Sequence, residues 1–216
     1  MAKSAAIRQR LAPEERKEQI LDVAAAMIRE NGVSAVNMDR LGREAGVSKP
    51  LVYVYFPNRI ELLKSLLLRE VHRFHRESAV LASASGPLED LVRASSRKML
   101  EYVKEFGIVI QQLMLEPEVA DVLEELDTKF QEQYKSYLAK RIREEYGVDD
   151  DVAEAVVEIG LGLSDAAGSY VEKSSGNLDF VEDVLTAMVM GSLERASARA
   201  RSGKIRTPAQ TEGGGA

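Results

Sequence analysis

The chain has no cysteine and only two histidines in its 216 residues. Without cysteine there is neither a disulfide nor a thiolate metal ligand, and the composition fits a reducing compartment. His72 and His75 stand three apart in a stretch expected to be helical, but no third ligand lies at a useful spacing. No metal or other cofactor is therefore expected. A Glu-x-x-His pair, a phosphate-cradling glycine loop and a Ser/His/Asp grouping are also missing. Gly160-x-Gly162 is not a nucleotide loop, because no strand precedes it. No apolar run approaches the ~18 residues a membrane span needs, and Met1-Ala2-Lys3-Ser4 opens without a signal-peptide core. A soluble, cytoplasmic protein that is not an enzyme is the expectation.

What remains is an ordinary globular composition, 45% hydrophobic and 30% charged, in a chain long enough for one large domain or two small ones. The net charge of −6 argues superficially against nucleic acid, but it is unevenly spread. Residues 1–64 hold 11 Lys/Arg against 8 Asp/Glu, and the remainder holds 18 against 27. A mildly basic module on an acidic body fits a protein that meets phosphates with one end only.

The stretch from Met38 to Phe56 organises the chain. Met38, Leu41 and Ala45 recur at helical spacing and share one apolar face. Gly46 can take a positive φ and end that helix, Val47 turns back toward the core, and Ser48 is an N-cap for the next. Pro50 falls in that helix's first turn, where a missing N–H is harmless. Two helices about a glycine-bearing turn form a helix-turn-helix, whose second helix enters a DNA major groove.

Around this unit the spacing predicts only helices, with no strand signal and no repeat. Residues 1–12, with Lys3, Arg8 and Arg10, read as a flexible leader or as an arm touching DNA. Pro13-Glu14-Glu15 opens a helix carrying Ile20, Leu21, Val23, Ala24, Met27 and Ile28, and Asn31-Gly32 closes it. Asn37 caps the next. Asn58 with Glu61 resembles a capping box and starts a long helix to about Ala82. After Gly86-Pro87, five further stretches are expected: about 87–106, 108–115, 119–146, 150–173 and 178–199. The third carries Leu123, Leu126, Phe130, Tyr134 and Tyr137 on one side. The tail from about Ser202 ends in Gly-Gly-Gly-Ala and should be disordered.

These residues carry a family likeness. Ala45-Gly46-Val47-Ser48-Lys49, then Tyr53, Phe56-Pro57-Asn58-Arg59 and Leu62-Leu63, resemble the DNA-binding domain of TetR-type transcriptional regulators across about residues 13–64. The resemblance implies an all-α chain in two parts. Residues 13–64 would form an N-terminal three-helix bundle with the helix-turn-helix, and 65–200 a helical effector-binding and dimerisation domain, between flexible termini at 1–12 and 201–216. The chain departs from the family at Gly42 (usually Ala), Pro50 (often Gly or Ala), Val54 and Tyr55 (often His) and Arg59 (often Lys). These departures bear on which bases are read.

Val47, Leu51 or Val52, and Phe56 supply the inward face of the recognition helix. Ser48, Lys49, Tyr53 and Tyr55 are left to face the groove, Lys49 at the helix N-terminus where a phosphate would meet free N–H groups. Tyr53, as the resemblance implies, gives its hydroxyl to a phosphate. Tyr55 is a candidate for a base or a thymine methyl, and Pro50, Leu51 and Val54 for apolar contact with thymine methyls. Asn37 and Arg59 are candidate backbone clamps, and Arg40 and Arg43 exposed cations, Arg43 with acids nearby.

In the body, Val152, Val156, Ile159, Leu163, Ala166 and Tyr170 follow a bundle-seam spacing, and Val181, Leu185 and Met188 mark the last helix. They are the candidate homodimer interface. Phe74, Met99, Tyr102, Phe106, Gln111, Met114, Phe130, Tyr134 and Tyr137 are candidate ligand contacts, apolar and aromatic with a few polar atoms. The reading is a ligand-responsive repressor that binds a palindromic operator as a homodimer and is released by a small apolar or amphipathic effector. The competing classes are a helical adaptor whose helix-turn-helix binds protein and, least supported, an all-α enzyme. Salt dependence separates the adaptor from a DNA reader.

Overall fold

Local signals at the N-terminus produce short, well-terminated helices. In the computed structural model, which describes residues 11–83, 86–173 and 177–203 (the side chains of 123–129 excepted), α1 runs Pro13–Asn31. Glu15 closes its first turn by accepting from the Ala12 N–H at 2.8 Å. Gly32, at φ 77°, ends it, its N–H donating to the Ile28 carbonyl at 2.8 Å. A one-turn 3-10 helix, Val33–Ala35, follows. Then come α2 (Met38–Glu44), α3 (Lys49–Tyr55) and α4 (Arg59–Ala82). The expected caps are in place: Asn37 accepts from Arg40 N–H at 2.8 Å, Ser48 from Leu51 N–H at 3.4 Å and Asn58 from Glu61 N–H at 2.9 Å.

Four helices complete the chain: α5 (Leu88–Met114), α6 (Pro117–Tyr146), α7 (Asp150–Lys173) and α8 (Leu178–Arg201). No strand occurs among the described residues. The expected separate helices 87–106 and 108–115 are one continuous α5. A mid-helix glycine costs only ~1 kcal/mol in propensity, and Gly107 is buried where a Cβ would collide with the Glu172 carboxylate and crowd Val103. Glycine there permits close approach rather than ending the helix. The leader through Arg10, Leu123 and Leu126 as side chains, and the tail from Lys204 lie outside the described residues.

The chain divides into two units, Met1–Arg69 with Val109–Val122, and Glu70–Ile108 with Leu123–Ala216. The first extends beyond the expected 13–64 by taking in the α5–α6 junction. Its fully buried side chains include Ile20, Leu21, Ala24, Leu41, Val52, Phe56, Leu62, Leu66, Val109, Leu113 and Val119. In the second unit Leu88, Leu91, Ala139, Ile142, Val152, Ala153, Val157, Met190 and Leu193 form one cluster drawn from α5 to α8. Leu100, Val171 and Val181 form a smaller one. Arg93 and Arg97 of α5 reach Glu182 on α8, Arg93 pairing also with Asp183 and Arg97 with Asp179.

Phe56 is 1% exposed and caps α3. Phe56→Ala should cost about 3–5 kcal/mol, read as a fall in the denaturant midpoint; a loss far below that range would mean the α3 end packs loosely.

Candidate nucleic-acid interface

The turn between α2 and α3 is built by backbone constraints. Gly46 takes φ 65°, a conformation that disfavours any side chain with a Cβ. The Val47 N–H then donates to the Gly42 carbonyl at 2.9 Å, folding the turn back on α2. Gly42 is itself buried, and a Cβ there would sit 3.2 Å from the Val47 carbonyl oxygen and 3.4 Å from Val52 Cγ2. The first turn of α3 is therefore held close against α2. Gln19 of α1 adds a tie by donating from Nε2 to the Ala45 carbonyl at 3.1 Å.

With Val52 and Phe56 buried and Leu51 and Val47 half-buried, the opposite side of α3 is left to solvent. Val54 is 75% exposed and Tyr53 42% exposed, and Ser48, Lys49 and Pro50 are exposed beside them. Tyr55 is half-buried, its ring 6.4 Å from that of Phe56, so it contributes only an edge to this surface. Asn37 is exposed and Arg40 half-buried, its Nε 2.6 Å from Glu44. Lys49 Nζ lies 2.7 Å from Asp39 Oδ1, and that hydrogen bond raises the lysine pKa above its ordinary value.

Arg59 is placed differently from the expected phosphate clamp. Its Nε donates to the Val36 carbonyl at 3.0 Å, and its Nη2 to the Val33 carbonyl at 2.9 Å and to Glu116 Oε1 at 2.8 Å. Through Nε and Nη2 the guanidinium is engaged inside the first unit, joining the start of α4 to the 3-10 turn and to the α5–α6 junction. Gln112 supplements it, its Oε1 accepting from Val33 N–H at 3.4 Å. Neither Glu116 nor Gln112 was readable as a partner, since each lies more than fifty residues from its contact.

Residues 20–66 match the family model described as bacterial regulatory proteins, tetR family. The N-terminal module is a TetR-type DNA-binding domain. Among curated relatives, the transcriptional activator FasR of Mycolicibacterium smegmatis is 39% identical over 62 residues, covering 29% of this chain and 28% of FasR. The transcriptional repressor KstR of the same organism is 36% identical over 75 residues, covering 35% of this chain and 37% of KstR. The matched stretch thus spans only about a third of each relative's own length. A TetR-like transcriptional regulator from Rhodococcus sp. RHA1 superposes with a TM-score of 0.65 at 21% identity, over 86% of this chain and 99% of that one. The fatty acid degradation regulator FadR from Bacillus halodurans gives a TM-score of 0.62 at 18% identity, over 84% and 97%. The likeness beyond the DNA-binding domain is one of fold.

The body of the chain carries two apolar features, both within the second unit. One is a run of aromatic rings. Phe74 lies 4.8 Å from Tyr102, Tyr102 5.7 Å from Phe106, His75 stacks on Phe130 at 3.8 Å, and Phe130 lies 6.1 Å from Tyr134. Arg73 sits over the Phe106 ring at 3.9 Å. Tyr134 donates to Ser95 Oγ at 3.0 Å and Tyr137 to the Ala82 carbonyl, and burial pushes the Tyr134 hydroxyl pKa up. Met99 is half-buried on α5. Gln111 and Met114 are exposed and belong to the first unit, so the structure does not group them with the other candidates. No cluster of three metal-ligating side chains occurs among the described residues.

The other feature is a shallow depression of about 370 Å³ between α7 and α8, lined by Leu163, Ala166, Tyr170, Phe180, Val184 and Met188 among others. Ile159, Tyr170, Phe180, Val184 and Met188 are exposed, whereas Val152, Val181 and Leu185 are buried within their own chain and Val156 is half-buried. Phe180 was missed because the expected stripe followed a neighbouring helical row.

The Glu116 carboxyl is held below its ordinary pKa of 4.5 by the hydrogen bond and charge of Arg59. A depressed carboxylate contributes stability above its unfolded pKa and loses it as pH falls through the folded value. Glu116→Gln should therefore cost about 1 kcal/mol at pH 7, and the gap from the parent should narrow as pH falls from neutrality through the depressed Glu116 pKa. Denaturant curves across that pH range check this; a gap independent of pH would contradict it.

Proposed function

We propose that this chain is a DNA-binding transcriptional regulator that reads a palindromic operator as a homodimer and answers a small apolar or amphipathic effector held in its helical body. The observation that carries the reading is the division of α3. Val52 and Phe56 anchor one side, while Lys49, Pro50, Tyr53 and Val54 stand exposed on the other. That is the arrangement a groove-reading helix requires. Ser48, Tyr53 and Asn37 offer polar groups to phosphates, and Pro50 and Val54 offer apolar contact to thymine methyls.

One short recognition helix provides little affinity, so two copies on half-sites about one helical turn (~34–36 Å) or somewhat further apart are required. The exposed apolar strip of Ile159, Tyr170, Phe180, Val184 and Met188 supports pairing through α7 and α8. The aromatic run from Phe74 to Tyr134 supports an apolar or amphipathic effector. Because α4 runs from the DNA-binding unit into the body, an effector that shifts α4 changes the separation of the two recognition helices. The coupling is reciprocal, so DNA weakens effector binding by the same factor. Repression is the favoured sense, as the printed name of KstR has it; that of FasR gives the opposite.

Selection of bound sequences from random duplexes should return a palindrome, and binding to it should fall steeply with salt as counterions are released. Absence of binding at low salt, before and after unfolding and refolding to strip a retained effector, would contradict the reading. Met188→Glu should turn a dimeric mass in solution into a monomeric one and weaken binding to the palindrome at least tenfold, a loss of about 1.4 kcal/mol or more; an unchanged mass would place the interface elsewhere.

A further inference from the structure

The surface formed by α2 and α3 carries its own acids. Arg40 pairs with Glu44 and Lys49 with Asp39, so two of its candidate cations are engaged by carboxylates of the same unit. The two pairs differ in kind. Arg40–Glu44 is an i,i+4 pair within α2, available to any helix with that spacing. Lys49–Asp39 joins two helices across the turn, and it depends on how closely α3 begins against α2. Gly42 permits that closeness, for a Cβ there would lie 3.6 Å from the Lys49 backbone nitrogen and 3.2 Å from the Val47 carbonyl.

Both members of the pair are exposed, 56% for Lys49 and 53% for Asp39, so the ammonium is open to a phosphate while already held by a carboxylate. A phosphate that recruits Lys49 must either displace Asp39 or share the ammonium with it and tolerate a negative charge close by. This penalty weighs on a complex held by Lys49 through phosphates, which carry no sequence information, and spares one held through contacts to base edges. Pro50 and Val54, exposed on the same helix, are uncharged and can gain only from base edges.

We propose that Asp39 is a specificity-determining residue, which positions Lys49 on the recognition helix and withholds it from indiscriminate pairing with phosphates. Binding to unrelated DNA is thereby held down, and the contacts that distinguish bases decide where the protein stays. This is discrimination by a repulsive element rather than by an added attraction. The inference rests on the DNA-binding reading above.

The test is a titration of the full chain against an unrelated duplex and against the selected palindrome, from about 50 to 200 mM salt. Asp39→Asn keeps the size of the side chain and removes its charge. It should tighten binding to the unrelated duplex and steepen the slope of log K against log salt by about 0.9 per DNA-binding module. At the low-salt end this is roughly a threefold to fourfold gain per module. Affinity for the palindrome should rise less, so the ratio between the two falls. Lys49→Met alone, which leaves the Asp39 carboxylate uncompensated, should weaken binding to the unrelated duplex, and in its background Asp39→Asn should no longer steepen the salt slope. An equal effect of Asp39→Asn in both backgrounds would mean that net charge alone is at work and would overturn the proposal, as would an unchanged slope. If the parent chain bound no duplex at low salt, the DNA-binding reading would fall and the role of Asp39 with it.

Discussion

Everything proposed for the DNA-facing surface depends on how closely α3 is packed against α2. Three constraints act on a few residues: the positive φ at Gly46, the missing side chain at Gly42 and the burial of Val52 and Phe56. Together they leave α3 one orientation, and hence one set of exposed side chains. A helix of seven residues has little stability of its own. Its direction is therefore set by packing and by the turn, with the Ser48 cap satisfying a first-turn N–H.

The same unit shows how charge is distributed over function and structure. Lysine and arginine residues near a helix-turn-helix are easily assumed to serve DNA, yet Arg59 is committed to two backbone carbonyls and to Glu116. An arginine suits that place because its planar fork can satisfy three acceptors at once, which an ammonium on a flexible stem does with less geometric precision. The cation thus links the 3-10 turn and the start of α4 to the α5–α6 junction. Lys49 keeps an exposed ammonium, and there the restraint is an exposed carboxylate rather than a buried acceptor set.

Features governed by local rules were legible in the chain. The caps at Asn37, Ser48 and Asn58, the glycine stops at Gly32 and Gly46 and the bounds of α7 all follow from residues within a few positions of one another. The inward and outward sides of α3 followed from periodicity together with family resemblance. Features that depend on distant partners were not legible. Gly107 reads as a helix stop until its helix is seen to pass Glu172, and Arg59 reads as a clamp until Glu116 is seen beside it. The aromatic residues Phe74, Tyr102, Phe106, Phe130 and Tyr134 were picked out by type and spacing, but Gln111 and Met114 share that pattern and belong to the other unit. Periodicity locates one face of a helix and leaves open which neighbour that face meets.

The claim that α3 is the part of this chain that meets DNA is tested most directly by backbone amide hydrogen exchange, with and without the selected duplex. Exchange protection should increase in 38–55, the α2–turn–α3 segment, and along the α3 N-terminal turn above all, with smaller changes in α8. Protection confined to α7 and α8, or spread evenly over the chain, would contradict the account by placing the DNA contact elsewhere.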